Sequence, residues 1–185
     1  MNRAYPVLVL PGLGNSGPDH WQSQWENHDP SFTRVLQEDW DTPHCPDWVE
    51  QLDRSIGQRQ EPVVLAAHSS ACALVAHWAG SAQASRLNLV RGALLVAPSD
   101  PDNPNYPLGP TGFDPVPMQA LPFPSIVVAS SDDRYVEPGR ARQYAQSWGS
   151  RFVLLHDAGH INASSGFGPW PEGRALLEGL RTGPA

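Results

Sequence analysis

Three residues in one chain order could turn a serine hydroxyl into a nucleophile: Ser69, an aspartate at 132 or 133, and His160. A serine hydroxyl attacks a carbonyl poorly until an imidazole takes its proton. The imidazole in turn needs a carboxylate to fix its tautomer and stabilise its charge. Ser69 stands in Ala67-His68-Ser69-Ser70-Ala71, a serine between small residues, although Ser69 or Ser70 could also simply cap the following helix. In Ser130-Ser131-Asp132-Asp133-Arg134-Tyr135-Val136, Asp133 precedes the apolar anchor Val136 by three residues and is preferred to Asp132. His160 follows Gly159, which lets the chain turn sharply and present an imidazole. His156 and His160 also imitate a two-ligand metal spacing, but that spacing needs a helix, and Ala158-Gly159 argues for a loop; no metal is expected.

Acyl transfer also requires donors for the oxyanion. The N–H of Ser70, at the start of the helix after Ser69, is one expected donor, and Leu13 in the loop after the first strand is the other. The loop Gly12-Leu13-Gly14-Asn15-Ser16-Gly17 has a rival meaning. It is a literal G-x-G-x-x-G between a strand and a helix, and Glu38-Asp39 lies about where a ribose-binding acid belongs. A dinucleotide-binding protein is therefore the alternative reading, although Pro11 intervenes between strand and loop. A catalytically silent interaction module is a third. His20 near the same loop could touch substrate, and Phe113 could wall an acyl pocket or anchor its loop by packing. Trp21 and Trp25, four apart, are expected in the core.

The elements that must position these residues follow from periodicity. Val63-Val64-Leu65-Ala66 is a continuous apolar run, as expected of a strand covered on both faces, and Ala71, Leu74, Val75 and Trp78 recur at helical spacing. No loop residues separate the two. The corner residue, Ser69, must then be strained and project from the sheet end. Further strands are expected at Val7–Leu10, Arg34–Gln37, Ala93–Ala97, Ile126–Ala129 and Phe152–Leu155. Pro18 suits a first helical turn, Asp47 with Glu50 looks like a capping box, and a last helix starts near Pro171. Asp100 to Pro117 is a proline-rich loop without periodicity, of a length that tends to carry function. Alternating strands and helices imply a parallel sheet with helices on both faces and ligands at the carboxyl ends of the strands.

The 185 residues suit one domain spanning 1–185, and the 20 prolines and 16 glycines stay below the low-complexity range. A net charge of −7 without a Lys/Arg cluster argues against nucleic acid or an anionic membrane as partner. Cys45, in a proline-rich loop, and Cys72, on the helix behind Ser69, are read as buried or idle thiols rather than a disulfide. With no run approaching the roughly 20 apolar residues of a membrane span, a soluble cytoplasmic protein is expected.

Pro11-Gly12 with Ser16-Gly17, His20-Trp21-Gln22 with Trp25, Asp47-Trp48-Val49, His68-Ser69-Ser70, Asp132-Asp133, Gly159-His160-Ile161-Asn162 and Trp170-Pro171 stand together in this chain. In that combination the chain resembles the small YdeN-like and retinoblastoma-binding-protein-nine-like serine hydrolases over nearly its whole length. The resemblance implies a compact α/β-hydrolase fold, with a parallel sheet of about six strands and helices on both faces. It implies Ser69 as nucleophile, Asp133 as acid and His160 as base, acting on small esters or amides without a cofactor. Ala67 and Ala71 depart from the family's glycines, and a methyl group is expected to fit at each. No Leu-x-Cys-x-Glu segment occurs, so the protein-binding role in the family's name does not transfer.

Overall fold

The computed structural model describes residues 4–182; three residues at each end of the expected 1–185 domain lie outside them. Six strands, β1 (Val7–Leu10), β2 (Phe32–Arg34), β3 (Val63–His68), β4 (Val90–Val96), β5 (Ser125–Ser130) and β6 (Arg151–Leu155), form one parallel sheet in the order β2-β1-β3-β4-β5-β6. The helices are α1 (Trp21–His28), α2 (Cys45–Gly57), α3 (Ser70–Ser81), the short α4 (Ala84–Leu87), α5 (Pro138–Trp148) and α6 (Pro171–Thr182).

Strand residues alternate between two apolar layers, as a two-residue period demands. Leu8, Leu10, Leu65 and Leu95 pack with Trp48 of α2, Trp78 of α3 and Trp148 of α5. Val7, Val9, Val64 and Val96 pack on the opposite face with Trp21 and Trp25 of α1 and Leu177 of α6. Both faces are covered, which is why the strands read as unbroken apolar runs. No helix among the described residues is long and apolar enough to cross a membrane.

Three local expectations need correction. The second strand is Phe32–Arg34 rather than 34–37: the Arg34 side chain is drawn back to Glu26, Asn15 and Ser23, and Leu36 is exposed. Helix α1 starts at Trp21, not at Pro18, because His20 caps it by accepting from the Gln22 N–H at 3.2 Å. Helix α2 already begins at Cys45, with Pro46 in its first turn; no Asp47–Glu50 capping box forms, since Asp47 pairs with His44 and Glu50 with Arg54.

Candidate active site

The sheet ends β3, β4, β5 and β6 deliver the site. At the end of β3 the chain turns into α3 with Ser69 at φ 60°, ψ −127°, a conformation that L-residues avoid and that only the surrounding structure can hold. It is held on two sides. The Ser69 N–H donates to Val96 O at 2.9 Å, and Gly12 packs so closely behind that a Cβ there would lie 2.8 Å from Ser69 Cβ and 2.9 Å from His68 O. Ala67 and Ala71, which replace the usual glycines, are fully buried beside this formed corner.

Gly12→Ala is therefore expected to push on the Ser69 corner directly. Overpacking of this kind costs roughly 1 to 3 kcal/mol of stability, and the melting temperature should fall accordingly. Unchanged melting in this variant would show that the approach is not tight.

Beyond β6, the His160 Nε2 lies 3.0 Å from Ser69 Oγ and its Nδ1 lies 2.8 Å from Asp133 Oδ2. The Asp133 side chain is fully buried and its other oxygen accepts from the Tyr135 N–H at 2.9 Å. Asp132 turns away from the imidazole. Its Oδ1 accepts from the Ser130 hydroxyl at 2.6 Å and the Gly159 N–H at 2.8 Å, and these bonds hold its carboxyl below the ordinary range. Asp132 thus ties the end of β5 to the loop that carries His160.

Several residues support this loop and its neighbours in roles that the sequence did not assign to them. Ser130 Oγ accepts from the Ala158 N–H at 3.0 Å, and Trp21, expected only as core, donates its indole N–H to Ile161 O at 3.0 Å. The His68 ring packs between those of His20 and His160 at centroid distances of 4.7 and 4.8 Å, and its Nε2 lies 2.9 Å from His160 O. A carbonyl only accepts, so His68 carries its proton on Nε2. Gln22, buried under the Gly12–Gly17 loop, donates to Leu10 O and Ala66 O, both at 3.0 Å, and accepts from the Ser16 hydroxyl at 2.6 Å.

A cavity of about 190 Å³ opens over Ser69, lined among others by Leu13, His20, Ser70, Ser99, Tyr135 and Asn162. In the Gly12–Gly17 loop the Gly14 and Asn15 N–H groups are engaged, by Trp40 O and Gly12 O. Leu13, between them and Gly12, lines the cavity. The Ser70 N–H opens α3 and has no carbonyl one turn behind it. Phe113 is elsewhere: it is buried with its ring 5.7 Å from that of Trp48, and its carbonyl lies 3.0 Å from His77 Nε2. Of the two expected roles of Phe113, these contacts are those of the packing anchor and not of an acyl wall, and the proline-rich loop reaches the cavity through Pro107.

The dinucleotide reading of the Gly12–Gly17 loop fits less well. The helix that follows begins only at Trp21, beyond a His20 cap, and Asp39 is spent on the Asp41 and Thr42 N–H groups of its own turn.

His20 is buried, and burial first, then Arg34 and His160, lowers its pKa from 6.5 to about 4. Burial likewise holds His68 well below the ordinary value. The unfolded chain binds a proton at His20 near pH 6.5 while the folded chain refuses it down to about pH 4. Stability from this source is fully present above pH 6.5 and falls as pH drops toward 4. A pKa change of one is about 1.4 kcal/mol, so His20 alone accounts for a contribution on the order of 3 kcal/mol. His20→Asn keeps an acceptor for the Gln22 N–H and is expected to flatten the loss of stability between about pH 7 and pH 5. Urea unfolding at the two pH values measures this; equal losses in both proteins would remove His20 as the cause.

A parallel α/β sheet with a strained serine between strand and helix, and an imidazole and carboxylate on later strand ends, is the α/β-hydrolase architecture. Within it the chain belongs to the serine hydrolase family, whose model matches residues 7–179. A structure described as a YdeN-like hydrolase, from Pectobacterium atrosepticum, is 32% identical with a TM-score of 0.84, covering 95% of this chain and 90% of the other. The ydeN gene product of B. subtilis is 20% identical, TM-score 0.73, covering 95% and 98%. A monoacylglycerol lipase of Paleococcus ferrophilus shares the fold at 13% identity and a TM-score of 0.68, covering 96% of each chain. No curated protein matches significantly.

Proposed function

We propose that the protein hydrolyses small esters or amides through an acyl-enzyme on Ser69, with His160 as general base and acid and Asp133 as its orienting carboxylate. The observation that carries this is the unbroken line from Asp133 Oδ2 to His160 Nδ1 at 2.8 Å and from His160 Nε2 to Ser69 Oγ at 3.0 Å. Asp133, accepting only, requires the proton on Nδ1, so Nε2 is the free lone pair that takes the Ser69 proton.

As Oγ attacks, the carbonyl oxygen becomes an oxyanion, for which the N–H groups of Leu13 and Ser70 are the donors. Loss of one such donor commonly lowers turnover about 100- to 1,000-fold. Collapse expels the leaving group with the proton from His160, and water then attacks the acyl-enzyme by the same route. The chain needs no cofactor for these steps.

His20 contributes a substrate contact. Because its Nδ1 accepts from the Gln22 N–H, its proton sits on Nε2, and among the described residues that buried atom has no partner, beside the cavity that His20 lines. A substrate oxygen would satisfy it. The cavity of about 190 Å³ over Ser69 is where the acyl group would enter, with His20 on its wall.

The test is labelling with a fluorophosphonate and locating the adduct by peptide mass. An adduct on Ser69 is expected. None on the folded protein would return the weight to a silent interaction module or a dinucleotide-binding protein.

A further inference from the structure

Ser99 follows β4, is 4% exposed, and lines the cavity over Ser69. Its hydroxyl meets one partner among the described residues, the nucleophile itself, with Ser99 Oγ 2.8 Å from Ser69 Oγ. A buried serine normally satisfies its hydroxyl on backbone or structural side chains. Here nothing structural is satisfied by it.

The proton inventory fixes the direction of the bond. Ser69 has a single hydroxyl proton, and His160, protonated on Nδ1 toward Asp133, offers Nε2 as acceptor for it. The hydrogen of the Ser69–Ser99 bond therefore comes from Ser99. Ser69 Oγ stands between an imidazole that takes its proton and a hydroxyl that donates to it.

We propose that Ser99 is a further catalytic residue, whose O–H stabilises negative charge on Ser69 Oγ when that oxygen attacks and again when it departs. This rests on the reading of Ser69 as nucleophile. In attack the Ser69 O–H bond breaks, the proton goes to His160 Nε2 and the Oγ–carbon bond forms. In deacylation a water gives its proton to His160 and bonds to the acyl carbon. The Oγ–carbon bond then breaks with its electron pair on Oγ, and His160 returns the proton there. Ser99 keeps its own proton throughout. In both steps Oγ passes through partial negative charge, and a hydrogen bond to a charged oxygen is stronger than one to the resting hydroxyl. Ser99 therefore favours the transition states over the ground state. Because Oγ is the leaving atom in deacylation, that step feels the loss of the donor as well as acylation.

The experiment uses p-nitrophenyl acetate turnover together with fluorophosphonate labelling. Ser99→Ala is expected to lower kcat about ten- to a hundredfold, the worth of one hydrogen bond to a charged group. KM should change less. The variant should label more slowly but still on Ser69, with an unchanged melting temperature. Ser99→Thr, which keeps the hydroxyl, should recover most of the loss. Turnover within about twofold of wild type in Ser99→Ala would overturn the role, as would equal impairment of the Ala and Thr variants. If Ser99→Ala lost its cooperative melt, Ser99→Thr would decide: turnover near wild type supports the role, and a loss of tenfold or more with an intact melt overturns it. A wild-type protein that does not label at all would bring down the nucleophile reading, and the Ser99 role with it.

Discussion

Ser69→Ala and His160→Ala are each expected to lower ester turnover by roughly 10⁴- to 10⁶-fold, and the double variant should be scarcely worse than either single one. The reason is the shared hydrogen bond of 3.0 Å between His160 Nε2 and Ser69 Oγ. Without the imidazole the hydroxyl keeps its proton, and without the hydroxyl the imidazole has nothing to activate. What survives should be the contribution of the oxyanion donors and of binding alone. Steady-state kcat for the three variants, with melting curves to show that each is folded, measures this. Near-normal hydrolysis by Ser69→Ala would remove Ser69 as nucleophile, and strictly multiplicative losses would show that the two side chains do not act as one unit.

The second large effect separates two adjacent carboxylates. Asp133→Asn should reduce kcat by up to about 10⁴-fold, since an amide facing Nδ1 no longer demands a proton there and the imidazole can settle in the wrong tautomer. Asp132→Asn should cost less than about fivefold, because the amide keeps an oxygen for the Gly159 N–H at the position of Oδ1. Asp132→Ala should lie between them: it removes that acceptor and loosens the loop that carries His160 without touching the imidazole. A pH–rate profile distinguishes the two roles, since only the Asp133 change alters the group that carries the proton. The reverse ranking would hand the acid role to Asp132.

What could be read from the sequence was whatever local pattern determines. The corner at Ser69 was legible because Val63 to Ala66 is apolar without interruption and Ala71 opens a helical repeat, with nothing between that could form a loop. Asp132, Asp133 and His160 stood out for the same reason, as reactive residues just beyond apolar runs. Ser99 lies just as close behind Val96, the last residue of its strand, so the same strand-end position marks it in the sequence. The remaining supports depend on pairings that periodicity does not encode. His68 meets the His160 carbonyl across 92 positions, and Trp21 meets Ile161 across 140. For Phe113 the sequence leaves pocket wall and packing anchor equally open, because an aromatic in a proline-rich loop looks the same from the chain whether it faces a cavity or the flank of Trp48. The start of α2 was misplaced because the Asp47–Glu50 spacing imitates a cap that Pro46, already in the first turn, makes unnecessary.

The two cysteines have a practical meaning for anyone wishing to watch the molecule. Cys45 and Cys72 are buried, and burial pushes the Cys45 thiol up to about 12 and raises that of Cys72 as well. Alkylation requires an accessible thiolate, so maleimides and iodoacetamides should leave the native protein unmarked. The wild-type chain is thus already a silent background for site-directed fluorophores or spin labels, with no cysteine-free variant required. Leu108, fully exposed and next to Pro107 at the cavity, offers a position for one such reporter, whose emission would read occupancy of the cleft in real time and without a chromogenic leaving group.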